Sequence, residues 1–238
     1  MPTEISKRAP IAVAFDTNDL DTAQSWAKHM AQEVAIFKLG LEFFNFYGKS
    51  GINSVMSQGK DNLLFLDLKL HDIPNTVAGA SKSIAELNPT YLTVHALGGG
   101  EMISAVSDAL PNTRVTAVTV LTSLKQSDLS AMGIENEISD LATTLAISSV
   151  EYGARAIVCS PNEVSRLRAC LPKDVHLITP GVRPAGEPNS DQSRVATPGE
   201  AISWGADFVV IGRPITRHWN PAQPQLMLNR IREIADSC

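Results

Sequence analysis

Phe65-Leu66-Asp67-Leu68-Lys69-Leu70-His71-Asp72-Ile73-Pro74-Asn75-Thr76 sets a carboxylate, an ammonium and a second carboxylate at spacings of two and three, where an apolar run ends. Residues 63–70 read as a buried strand, whose period of two sends Asp67 and Lys69 to one face and Leu66 and Leu68 to the other. Asp72 falls just past the strand end, in the loop. A lone Asp-x-Lys in a strand reads as a structural ion pair, because buried charge is costly unless paired. Three charges of alternating sign running into His-Asp-Ile-Pro-Asn-Thr shift the reading towards catalysis.

Outward from this stretch, short apolar or β-branched runs recur at residues 11–15, 35–39, 63–69, 91–96, 115–121, 156–159, 176–179 and 208–211. Between them, residues 21–32, 76–87, 101–110, 138–152, 161–171 and 198–204 carry helical spacing, and 225–234 closes the chain in the same way. Strand alternating with helix eight times predicts an α/β fold, a single (β/α)8 TIM barrel over residues 1–238. A doubly wound open sheet is the competing architecture. Several of the runs end in reactive side chains: Asp16, Lys38, the Asp67/Lys69 pair, and Thr122-Ser123. In a barrel the C-terminal ends of the strands hold the active site, so these residues are predicted to converge.

The rest of the composition narrows the class. Of the 238 residues 44% are hydrophobic and 19% charged, an ordinary globular balance, and no long polar linker divides the chain. A net charge of −5 gives no basic surface for nucleic acid, so an anionic ligand needs local cations. Cys159, Cys170 and Cys238 are scattered, lack Cys-x-x-Cys spacing, and read as incidental thiols in a reducing compartment. No apolar run has signal-peptide or membrane-span length, which predicts a cytoplasmic protein with no membrane partner.

Two further loops suit an anion. Barrels often bind phosphate after strands seven and eight. Here the seventh is followed by a Gly/Pro-rich loop that opens Thr179-Pro180-Gly181-Val182-Arg183 and runs to Arg194, long enough to close over a ligand. The eighth is followed by Gly212-Arg213-Pro214, where glycine allows close backbone approach and arginine offers a bidentate fork. Gly98-Gly99-Gly100 has neither dinucleotide nor P-loop spacing. His95 is expected to be a hydrogen-bonded strand-end residue, His29, His176 and His218 show no metal-ligand spacing, and Trp26, Trp204 and Trp219 are expected to pack.

The complete Asp67-x-Lys69-x-x-Asp72-Ile73-Pro74-x-Thr76 pattern closely resembles the signature of the orotidine 5'-phosphate decarboxylase family, and the likeness extends over about residues 11–220. The resemblance implies decarboxylation of orotidine 5'-monophosphate to uridine 5'-monophosphate, without metal or organic cofactor. By similarity Lys69 is the catalytic ammonium, flanked by Asp67 and Asp72, with Asp16 and Lys38 near the ribose and the reacting end. Arg183, Gln192, Gly212 and Arg213 match the phosphate-gripping set, and Thr122 the pyrimidine contact, with Ser123 as a one-residue alternative. The resemblance also implies a two-fold homodimer in which Asp72 and Thr76 enter the neighbouring subunit's site. Two rivals are a metal-dependent phosphosugar decarboxylase or aldolase on the same barrel, sharing the Asp-x-Lys-x-x-Asp core, and a catalytically silent nucleotide-binding barrel. The Ile-Pro-Asn-Thr continuation and the Pro-Gly-Val-Arg-Pro loop argue against the first, and the intact charged set against the second.

Overall fold

The computed structural model describes residues 8–184 and 196–238. Within them the chain runs β1 (Ala9–Ala14), α1 (Leu20–Met30), β2 (Val34–Gly40), α2 (Leu41–Met56), β3 (Leu63–Leu70), α3 (Pro74–Ser83), β4 (Tyr91–His95), α4 (Gly100–Ala109) and β5 (Arg114–Val118). It continues with α5 (Gln126–Ala131), α6 (Ile138–Glu151), β6 (Ala156–Val158), α7 (Val164–Cys170), β7 (His176–Thr179), α8 (Pro198–Ser203), β8 (Phe208–Ile211), α9 (Arg213–Thr216) and α10 (Gln225–Ala235). The strands are parallel and close in sequence order, with β8 pairing back onto β1. This is the (β/α)8 barrel, and the open doubly wound sheet is excluded by the closure.

A strand covered on both faces has no polar side, which is why these segments read as near-continuous apolar runs. All seven residues of β2 are buried. Alternate residues nonetheless go to different places. Ile11, Val13, Phe37, Leu39, Leu64 and Leu66 pack outward against the helices. Ala12, Ile36, Phe65, Tyr91, Ala156, Ile178 and Phe208 form a separate cluster inside the barrel. Phe65, Tyr91 and Phe208 meet there with ring centroids 5.3–6.3 Å apart, and Tyr91 Oη closes a 2.9 Å hydrogen bond with His176 Nδ1. Burying each such ring stabilises the fold by about 1.5–3 kcal/mol, so this layer is a solid floor.

Local chemistry sets the helix boundaries. Asp19 caps α1, its carboxylate accepting from the N–H groups of Asp21 and Thr22. α3 starts at Pro74, two residues before the sequence reading, because the N–H groups of a helix's first turn have no intrahelical acceptor and proline lacks only that group there. The same stretch was expected to stay helical to residue 87; instead α3 ends at Ser83, and a separate 3-10 turn, Ala85–Leu87, closes on left-handed Asn88. α2 was not among the stretches read as helical. Its aromatic-rich sequence carries Gly48 at φ 56°, which kinks it in the middle and breaks the period.

Candidate active site

Two residues beyond each floor residue, the same inward positions reach the barrel mouth. Ala12, Ile36, Phe65, Ala156 and Phe208 are succeeded by Ala14, Lys38, Asp67, Val158 and Val210, all of which line a cavity of ≈ 300 Å³. Val118, Val120, Leu121, Thr122, Cys159, Pro180, Gly181 and Pro214 complete its apolar and turn-forming wall, and Phe65 of the floor also lines it. Asp16, Lys69, Arg183, Gly212 and Arg213 bring the remaining polar chemistry.

The charged groups form a chain of alternating sign across β1, β2 and β3. Lys38 Nζ lies 3.6 Å from Asp16 Oδ1 and 3.2 Å from Asp67 Oδ2, and Lys69 Nζ lies 2.7 Å from Asp67 Oδ1. Lys38 and Asp67 are buried, whereas the Lys69 side chain keeps a third of its surface. Burial alone would push the Asp67 carboxyl up. The ammonium groups of Lys38 and Lys69, with hydrogen bonds from Lys69 and Thr93, outweigh it and hold the carboxyl at about 2. Burial likewise works against charge on Lys38, but Asp67 and Asp16 overcome it and raise its pKa. Lys38 and Asp67 are therefore each held in the charged form against their burial.

Lys69 is not held by a regular strand. Leu66 pairs with Leu92 and Leu70 with Val94, so three residues of β3, Asp67, Leu68 and Lys69, stand opposite one of β4, Thr93. Within this bulge Lys69 adopts φ 46°, a left-handed conformation that costs a non-glycine residue roughly 1–2 kcal/mol. Its N–H donates to Thr93 Oγ1 at 2.8 Å. Asp67 and Lys69 do meet, as the period of two implied, but through a distorted backbone rather than through uninterrupted alternation.

A family model described as Orotidine 5'-phosphate decarboxylase / HUMPS family matches residues 9–224. The chain belongs to this family. The orotidine 5'-phosphate decarboxylase of Thermobifida fusca is 53% identical over 213 residues, covering 90% of this chain and 91% of that protein. The enzyme of the same name from Frankia casuarinae is 48% identical over 225 residues, covering 88% and 82%. Among solved structures, the orotidine 5'-phosphate decarboxylase of Lactobacillus acidophilus superposes with a TM-score of 0.79 at 32% identity, covering 96% of this chain and 99% of that one.

Against the family signature, the barrel brings most of the sequence-derived residues together. Asp16, Lys38, Asp67, Lys69, Thr122, Arg183, Gly212 and Arg213 share one cavity. Thr122 lines it and Ser123 does not. At position 212 a Cβ would stand 3.3 Å from both Asp16 Oδ2 and the Ala14 side chain, a tight contact that glycine avoids. Gln192 lies outside the described residues. Asp72 and Thr76 are exposed and do not line the cavity of their own chain; the Asp72 carboxylate accepts from the Ile73 N–H at 2.6 Å.

Two departures concern histidine and threonine. His95 is not hydrogen-bonded as expected: its Nδ1 is buried without a partner, and the ring stacks on His71 at 5.1 Å and 18°. Burial, followed by His71 and Lys69, keeps it from protonating easily. Thr93 is not among the residues that the sequence marks as part of the site. The available signal was its position two residues after inward-facing Tyr91, a polar side chain where the barrel's own period points to the mouth.

Proposed function

We propose that this chain converts orotidine 5'-monophosphate into uridine 5'-monophosphate and carbon dioxide, as a carboxy-lyase completing pyrimidine biosynthesis. The observation that carries the reading is the Asp16–Lys38–Asp67–Lys69 chain of charges facing Arg183, Gly212 and Arg213 across one cavity, in a chain of this family. The phosphate is gripped by Arg183 and Arg213 beside Gly212, with Gln192 as a further ligand, and Thr122 contacts the pyrimidine. Asp16 and Lys38 hold the ribose side.

In the chemical step the bond from ring carbon C6 to the carboxylate breaks, carbon dioxide departs, and the electron pair stays on the carbon in the ring plane. The Lys69 ammonium stabilises that pair and then transfers its proton to the same carbon, leaving a neutral amine that solvent reprotonates. Asp67 pairs with Lys69 at 2.7 Å and faces the substrate carboxylate, so repulsion there fades as carbon dioxide leaves. One charge pair at 4 Å is worth about 4 kcal/mol at an effective dielectric near 20, whereas a difficult reaction needs a barrier reduction of ~20 kcal/mol. Binding energy from the remote phosphate supplies part of the difference by holding the reacting carbon against Lys69.

The reading requires neither metal nor organic cofactor and places the enzyme in the cytoplasm. Purified protein mixed with orotidine 5'-monophosphate and excess chelator should consume the orotate absorbance at the same rate as without chelator. Loss of turnover on chelation with recovery on magnesium would favour the metal-dependent phosphosugar branch, and absence of turnover under all conditions a silent barrel.

The same reading makes the active unit a two-fold homodimer with shared sites. Asp72 and Thr76, which do not line their own cavity, would complete the partner's, with Asp72 as the second carboxylate beside its Lys69. Exposed Leu41, Ile73 and Leu97 follow β2, β3 and β4 at the end of the barrel that also carries Asp72, apolar side chains suited to burial against a second copy. Equal mixing of Lys69→Ala and Asp72→Ala subunits should restore wild-type character to about a quarter of the sites, since each hybrid dimer has one intact site. Activity that stays at the average of the two variants after confirmed subunit exchange would place Asp72 in its own chain's site.

A further inference from the structure

The Lys69 and Asp67 side chains have a common neighbour on the next strand. Thr93 sits in the middle of β4, is fully buried, and does not line the cavity. Its hydroxyl accepts the Lys69 N–H at 2.8 Å and donates to Asp67 Oδ1 at 3.0 Å. A hydroxyl has a single proton, and here that proton points at the same carboxylate oxygen that pairs with Lys69 Nζ at 2.7 Å. The oxygen therefore bridges the backbone of the ammonium-bearing residue to the carboxylate that orients its side chain. The bridge stands at the bulge where β3 and β4 fall out of register, the place where a regular ladder cannot fix Lys69.

We propose that Thr93 is a positioning residue for the decarboxylation, its hydroxyl locking Lys69 in the left-handed bulge conformation and aligning Asp67 with it. The inference rests on the assignment of Lys69 as proton donor made above. Three observations support it together. Lys69 holds a conformation that a non-glycine residue does not keep without restraint. The N–H of Lys69 would be left unpaired in a part-buried setting if the hydroxyl were lost. The Thr93 hydrogen bond also contributes to keeping the Asp67 carboxyl ionised. A threonine serving only to fill a strand would need none of these contacts.

The test is Thr93→Val, which preserves shape and removes the hydroxyl, beside Thr93→Ser, which restores it, with kcat and KM for orotidine 5'-monophosphate measured for each. In the valine variant kcat should fall about ten- to a hundredfold, the size of one hydrogen bond to a charged group. KM should hardly change, because β7 and β8 carry the phosphate grip while β3 and β4 stand across the mouth. The serine variant should recover most of kcat. A valine variant with wild-type kcat overturns the proposal, as do equal losses in valine and serine or a loss confined to KM. If the valine variant fails to fold by circular dichroism, Thr93→Ala against Thr93→Ser decides: kcat several-fold higher for serine supports the role, and equal values overturn it. Lys69→Ala assayed in parallel separates the two levels of inference. Its inactivity beside a fully active valine variant overturns the role of Thr93 alone, whereas its retention of turnover overturns the assignment of Lys69 and the proposal with it.

Discussion

The barrel floor and the barrel mouth are built by the same strands only two residues apart, yet they obey opposite rules. Ile36, Phe65 and Tyr91 at the floor are followed by Lys38, Asp67 and Thr93 at the mouth. At the floor, apolar surface is removed from water and ring packing stabilises the fold without directional demands beyond shape. At the mouth, burial penalises every charge, and the arrangement survives because each buried charge faces an opposite one and is hydrogen-bonded. The lesson is that the floor stabilises an assembly of charges that would be costly alone. Function stands one strand period above the main source of stability.

Three experiments can break or sharpen this contrast. The largest effect belongs to the mouth. Lys69→Ala should remove nearly all turnover, a loss of at least about a thousandfold in kcat, while the variant still binds uridine 5'-monophosphate and melts near the wild-type temperature. A variant retaining most of its activity would show that the mouth does not work through this ammonium.

Next comes the floor, where Phe208→Ala, at a ring that is fully buried and does not line the cavity, should cost about 3–5 kcal/mol of stability, read by denaturant unfolding, through lost burial and the cavity left behind. Its KM should change little in the fraction that remains folded. A loss of activity with unchanged stability would mean that floor and mouth are not separable in the way described.

The smallest effect is a pH dependence. Asp67 titrates at about 2 in the folded chain, below its ordinary value of 3.8. A carboxyl depressed by folding contributes stability that is fully present above 3.8 and is lost as pH falls from there through about 2. The depression corresponds to about 2 kcal/mol. Asp67→Asn lacks this component, so its unfolding free energy should decline less than wild type between pH 5 and pH 2. Parallel acid profiles for the two proteins would show that the buried ion pairs do not hold the carboxyl as described.

Much of this molecule is readable along the chain. The apolar runs locate all eight strands, and seven of them, all but β5, end in the sequence reading within one residue of their observed ends at the mouth. β5 was read to residue 121 but ends at Val118, because the apolar residues Val120 and Leu121 turn into the cavity wall instead of extending the ladder. Asp16, Lys38, Asp67 and Lys69 were legible because charge at the end of a buried strand is costly enough to require a reason. Thr93 carried no such mark, since a threonine in a strand is ordinary.

By itself, then, the sequence determined the alternation of strand and helix, the end of the barrel that carries the chemistry, and the family through its Asp67-Lys69-Asp72 signature. These are local matters of periodicity and residue type. Only the tertiary structure decided that Lys69 stands in a left-handed bulge, that Thr93 joins it to Asp67, that Thr122 rather than Ser123 lines the cavity, and that Asp72 does not line the cavity of its own chain. Each of those depends on which strand lies beside which and in what register. Such distances are set by the packing of the whole barrel, and no spacing along one segment encodes them.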